Sequence, residues 1–236
     1  MGHEDMEIRV GELLRRFDPN RDRRRRIDRP FTIELFGTPK SGKSTMKEML
    51  KHFFKRNGWL VSTPQEGAEV VELPRDEPTY NFQTCEYAMM TARDRSYSGQ
   101  FHIVVMDRAI FDGVVRMEYY RGKGILTPPQ QATIEGYYLL PWMRDLFDLH
   151  VCLVASPEVA IRREFARAFT KKDGETMNPA TLRRLLEAHR AVWERLGGDT
   201  DHRLVWHDSS LESEEETAVS LIQECVTAFE RRLAGC

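Results

Sequence analysis

Phe31-Thr32-Ile33-Glu34-Leu35-Phe36-Gly37-Thr38-Pro39-Lys40-Ser41-Gly42-Lys43-Ser44-Thr45 is the stretch from which the rest of the sequence can be read. Its first six residues form a short β-rich apolar run. Gly37 to Ser44 then fit G-x-x-x-x-G-K-[ST], the phosphate-binding P-loop. Met46, Met49, Leu50 and Phe53 recur at helical spacing until Asn57-Gly58 ends the pattern. The motif therefore lies between a strand and a helix, the setting it needs to work. Gly37 and Gly42 let backbone amides converge on a phosphate with no Cβ in the way. Lys43 supplies a point charge to the outer phosphates and Ser44 a hydroxyl to Mg²⁺. The positive end of the following helix helps to hold the anion. Binding of a nucleoside triphosphate is the expectation, with Thr38, Pro39, Lys40 and Ser41 as the loop and Thr45 just behind it.

Outward from this loop the pattern repeats as strand, loop and helix. Strands are expected at residues 31–36, 59–62, 101–106, 149–155 and 203–207. Helices are expected at 44–56, 78–97, 112–120, 129–147, 157–169, 179–196 and 211–233, with a short one at 7–17. Five strands alternating with helices imply an α/β fold, a five-stranded parallel sheet with helices on both faces. Ligands in such sheets bind beyond the carboxyl ends of the strands. The division expected is a basic amino-terminal extension, 1–29, and one P-loop domain, 30–236.

Composition agrees with a globular protein. Of 236 residues, 41% are hydrophobic, enough for a full-sized core. Lys and Arg number 35 against 37 Asp and Glu, a net charge of −2, which argues against a protein that coats nucleic acid with its whole surface. Charge is concentrated in Arg21-Asp22-Arg23-Arg24-Arg25-Arg26-Ile27-Asp28-Arg29. A solvated connector is the favoured reading of this run, and a nucleic-acid contact through Arg21–Arg29 the less favoured one. Cys85, Cys152, Cys225 and Cys236 lack metal-ligand spacing, which suits a reducing cytoplasm. The amino terminus has no signal-like apolar segment, and no run approaches the roughly 20 apolar residues of a membrane span. The oligomeric state is left open, a dimer among the options.

Three further strand ends carry chemistry. Ile103-Val104-Val105-Met106-Asp107-Arg108 is an apolar run closed by an acid, as a strand needs if it is to place a carboxylate on Mg²⁺ beside the P-loop. Arg108 comes next, within reach of phosphate or substrate. Glu66, after the second strand, is a carboxylate able to orient and deprotonate a hydroxyl. After the fourth strand, Ser156-Pro157 starts a helix on which Arg163 and Arg167 share one face; Lys171 and Lys172 continue the basic strip. Tyr80, Phe82, Gln83, Tyr87 and Arg93 form a helix that reads either as core or as a platform for a base.

These motifs together resemble the nucleoside and nucleotide kinases, above all the thymidylate kinase and deoxynucleoside kinase group. The resemblance runs from about Phe31 to Leu233 in element order and is specific at the P-loop and at Asp107-Arg108. It implies Mg²⁺- and ATP-dependent transfer of a γ-phosphoryl group to a small acceptor, a nucleoside or a nucleotide. By the same resemblance Arg163 and Arg167 form a lid pair, Glu66 is the acceptor base, and His207-Asp208-Ser209-Ser210 lies near the adenine. Three departures stand out: Ala109 replaces the usual aromatic or serine, Glu66-Gly67 the usual Glu-Pro, and Phe169 a third lid arginine. A Glu followed by a small residue is also similar to the ribosylnicotinamide kinases. Glu66 and Asp107 both remain candidates for the base. The alternatives are a P-loop ATPase or switch acting on a protein partner, and a kinase of polynucleotide ends.

Overall fold

A computed structural model describes residues 3–18, 28–75, 77, 79–166, 174, 176–197 and 203–234. The expected strand order in sequence becomes a sheet because each strand is an apolar run with its two faces matched to different helices. The strands are β1 (Phe31–Gly37), β2 (Val61–Ser62), β3 (Ile103–Asp107), β4 (Leu149–Val154) and β5 (Leu204–Asp208). They lie in the order β2-β3-β1-β4-β5, and all pairs are parallel. β1 is central, with Leu35 beside Asp107 of β3 and Gly37 beside Leu153 of β4.

The helices are α1 (His3–Phe17), α2 (Lys43–Arg56), α3 (Gly67–Val70), α4 (Tyr80–Ser98), α5 (Ile110–Gly122), α6 (Pro128–Tyr138), α7 (Pro141–Arg144), α8 (Pro157–Phe165), α9 (Pro179–Leu196) and α10 (Glu214–Ala234). The period-2 alternation of the strands divides the core between the two faces of the sheet. Phe31, Ile33 and Leu35 point into one cluster with α1, α2 and α10. Phe36, Val104, Met106, Cys152 and Val154 point into the other, with α4, α5, α6 and α9. Both faces are therefore covered, as a parallel sheet requires.

Four local expectations are corrected. The 129–147 helix is two, because Pro141 cannot donate to the turn before it and restarts the chain as α7. The last helix begins at Glu214, where Ser213 and Glu216 bond reciprocally as a capping box. The second strand is only Val61–Ser62, and α3 was not expected at all. The expected extension of α8 to Phe169 falls outside the described residues, as do Arg21–Arg26, Arg167, Lys171 and Lys172.

The amino-terminal helix is packed into the body of the protein. Met6, Val10, Leu13 and Leu14 are buried in the α2–α10 cluster. Arg9 donates through Nε (3.1 Å) and Nη2 (2.6 Å) to the two carboxylate oxygens of Glu230 on α10. Further along, Arg29 and Arg232 both bond Asp148, whose other contact is the backbone N–H of Thr32.

Candidate active site at the carboxyl ends of the central strands

The loop after β1 is held by close packing. Gly37 has φ 142°, and a Cβ there would lie 1.7 Å from the carbonyl oxygen of Leu153, so no other residue lets β4 approach. The loop is buckled to the end of β4 by Thr38, whose Oγ1 accepts the Ala155 N–H at 2.9 Å. Lys43 starts α2, and its ammonium lies inside the loop, donating to the carbonyls of Gly37 (3.1 Å) and Thr38 (2.7 Å). Burial, with the nearby Arg108 cation, lowers the Lys43 pKa to about 8 against the partial opposition of Asp107, Asp112 and Glu66. The loop thus encloses a cation already desolvated, an arrangement suited to a phosphate anion.

Beside the loop, Asp107 ends β3 almost completely buried. Its Oδ2 accepts the Ser44 hydroxyl at 3.1 Å and lies 3.6 Å from Lys47 Nζ. Its Oδ1 is buried with no hydrogen-bond partner. An orphaned carboxylate oxygen next to a serine hydroxyl is a hard-oxygen pair that fits Mg²⁺, which takes one or two protein ligands and fills its shell with phosphate and water. Among the described residues no group of three His, Cys, Asp or Glu forms a self-sufficient metal cage.

The third part is a cleft between α3, α4 and the start of α5. Glu66 and Arg108 face each other across it at 3.1 Å, and Asp112 lies 3.8 Å from the Arg108 Nε. Arg116, one turn on, reaches Asp112 at 3.5 Å. Burial opposes the charge of Arg108, but Asp112, Glu66 and Asp107 outweigh it and leave the guanidinium pKa raised. Asp112 is held low: burial pushes it up, and Arg116 and Arg108 more than offset that. Glu66 goes the other way, raised by burial that Arg108 only partly counters. A carboxylate so placed is a better proton acceptor than a free one. Tyr80, Asn81 and Thr84 of α4 line the same cleft. Gly67 is required beside Glu66 because a Cβ would lie 2.7 Å from the Thr84 carbonyl oxygen.

The structure thus brings Lys43, Ser44, Asp107, Arg108 and Glu66 together, as the sequence suggested. Arg163 lies at the far side of the loop. It donates through Nη1 to the Lys40 carbonyl (3.1 Å) and to Ser209 Oγ (3.0 Å), and through Nη2 to the Ser209 carbonyl (2.7 Å). Lys40 in turn pairs with Glu164 at 2.7 Å. Of the α4 aromatics, Tyr80 reaches the cleft, whereas Phe82 packs towards Tyr138 in the core. Gln83 and Arg93 are exposed. Sequence reasoning missed Asp112, Lys47, Asn81 and Thr84. Spacing offered a signal for one of them: Lys47 is four residues after Lys43 on α2 and so shares a helix face with it, whereas Arg108 precedes α5 and gives Asp112 no such mark.

No family model and no curated protein matches the sequence. Solved structures do match. Deoxyadenosine kinase from M. mycoides, solved with bound dATP, superposes with a TM-score of 0.56 at 18% identity, over 84% of this chain and 99% of that one. The likeness is one of fold, and it matches the five-stranded parallel arrangement expected from the motifs.

Proposed function

We propose, from a P-loop kinase fold whose strand ends carry the groups just described, that the chain transfers the γ-phosphoryl group of Mg-ATP to a hydroxyl of an uncharged, nucleoside-like acceptor. The observation that carries this reading is the Glu66–Arg108–Asp112 cluster in the cleft beside Lys43 and Asp107. Two carboxylates flank one guanidinium there, while Lys47 faces Asp107 and Arg116 faces Asp112. Each of these cations is matched by an acid, so an acceptor that brought its own phosphate would meet Glu66 and Asp112 without a spare positive charge. A hydroxyl acceptor meets a base and hydrogen-bond partners instead.

In this reading the acceptor oxygen forms its bond to the γ-phosphorus as the bond to the β–γ bridging oxygen breaks. Glu66 takes the hydroxyl proton, and ADP leaves with the bridging oxygen. Lys43 and the loop amides hold the phosphates, and Asp107 with Ser44 would hold Mg²⁺, which when bound offsets charge on the phosphate oxygens. Arg108 orients Glu66, and Arg163 with Arg167 is the proposed lid pair. ATP as donor, Mg²⁺ as metal and a cytoplasmic site of action belong to the same proposal; no helix among the described residues is long and apolar enough to cross a membrane.

The test is acceptor-dependent ADP formation across nucleosides, nucleoside monophosphates, ribosylnicotinamide and 5′-hydroxyl oligonucleotides. Stimulation by a nucleoside is expected. Stimulation by monophosphates alone, or by oligonucleotides alone, would overturn the uncharged-acceptor reading.

Two expected results concern the donor side. Polyphosphate needs protonated Lys43, whose pKa of about 8 in the free protein is set by burial. ATP affinity is therefore expected to be flat below pH 8 and to fall by up to about tenfold per unit above it, with proton uptake on binding. Calorimetry in two buffers of different ionisation enthalpy measures that uptake, and none at pH 8.5 would contradict the assignment. Arg163→Ala removes the ties between the Lys40 carbonyl and Ser209. ATP affinity should fall about three- to tenfold, the scale of one charge-assisted hydrogen bond partly open to solvent. Unchanged affinity in a titration would detach Arg163 from the loop's function.

A further inference from the structure

Glu34 occupies the middle of β1 at 0% exposure, on the sheet face that meets α5 and α9. A carboxyl group in that position is tolerated only with its oxygens fully bonded. Its Oε1 accepts the backbone N–H groups of Ala109 (2.7 Å), Phe111 (3.1 Å) and Asp112 (3.1 Å). Its Oε2 accepts Phe111 N–H at 3.2 Å and faces His150 Nδ1 at 2.7 Å.

These amides belong to the first turn of α5, whose N-cap is Ala109, a residue with no side-chain acceptor. A cap from the neighbouring strand replaces the missing local one. The same segment holds Arg108 at φ 65°, a left-handed conformation that a non-glycine residue keeps only when its surroundings fix it. Its two ends are the fixed points: Arg108 N–H bonds the Leu35 carbonyl at 2.8 Å, and Ala109 N–H bonds Glu34.

We propose that Glu34, braced by His150, is a positioning residue for the reactive cleft: it fixes the entry of α5 and so sets where Arg108 and Asp112 stand relative to Glu66. The inference rests on the phosphotransfer reading above, and its test has an arm independent of that reading. Glu34→Asp keeps the acid but withdraws it by one methylene, and Glu34→Gln keeps an oxygen in place. In Glu34→Asp, backbone hydrogen exchange at Ala109, Phe111 and Asp112 should accelerate at least about tenfold while the α2 amides stay protected. Acceptor-dependent kcat should fall by about 10²-fold, the scale of a misplaced reacting group, with ATP affinity within about twofold of the parent. Glu34→Gln should restore both towards parental values.

His150→Asn, which leaves Glu34 in place and removes its brace, should accelerate the same three amides to a smaller degree, and it decides the matter if Glu34→Asp does not fold. Uniform acceleration across the sheet, or equal losses in kcat and ATP affinity, would reduce Glu34 to core packing and overturn the proposal. A parent protein inactive on every acceptor would sink the phosphotransfer reading, while the exchange pattern would still decide the role of Glu34.

Discussion

Lys43→Ala is expected to lower acceptor-dependent turnover by at least about 10²–10³-fold, the usual scale for one lost electrostatic donor at a transferring group. The buried ammonium is the only side-chain cation that the structure places inside the loop itself among the described residues. Its loss should leave the fold intact, because two effects oppose each other. The carbonyls of Gly37 and Thr38 lose a donor, which costs stability. Against that, the folded protein no longer holds a desolvated charge. The lysine pKa is about 8 when folded and 10.5 when free, so its burial disfavours folding below pH 8, an effect that fades between pH 8 and 10.5. Circular dichroism and the thermal midpoint should therefore stay near the parental values at pH 7 while turnover disappears. Turnover that survived this substitution would remove the kinase reading.

The second large effect separates the two carboxylates. Glu66→Gln should suppress transfer by roughly 10²–10⁴-fold, the range for a missing general base, and leave Mg-ATP binding nearly unchanged. Glu66 is raised by burial, faces Arg108 and lines the cleft, whereas Asp107 bonds Ser44 under the loop. Asp107→Asn should accordingly raise the Mg²⁺ requirement and slow any acceptor-independent ATP hydrolysis as well. ATP titrations at several Mg²⁺ concentrations measure both variants. If Glu66→Gln weakens Mg-ATP binding and Asp107→Asn does not, the roles are exchanged and the acceptor lies elsewhere.

The parts of the site that were legible in the sequence are those built from neighbours in sequence. Gly37 to Ser44 carry their geometry in their own spacing, and Asp107 announces itself as the acid that closes an apolar strand. Lys47 was readable in principle from helical periodicity, but only after Lys43 had been given a role; Asp112 was not, because Arg108 sits before α5 in a left-handed turn that breaks the period. Glu34 was not readable. Its hydrogen-bond partners lie 75 to 116 residues away, and an acid inside an apolar strand carries no local mark of the helix it caps. Pro141 shows the opposite failure: apolar residues at helical spacing on both sides masked a breaker that was present in the sequence. The arginine-rich run stays a reading of composition, since its residues 21–26 lie outside the described residues.

The docking of α1 against α10 has a consequence for how the chain is made. Arg9 and Glu230 are 221 residues apart, so α1 leaves the ribosome long before the helix it packs against. At about 5–20 residues per second, that wait is roughly 10–45 s. Phe17 can meet Trp59 and Leu14 can meet Gly58 early, but the side of α1 that faces α10 stays uncovered until α10 has been made. During that interval Met6, Val10 and Leu13 present an apolar stripe on α1, a substrate for any chaperone that reads such stripes. A chain cut short before α10 would keep it exposed.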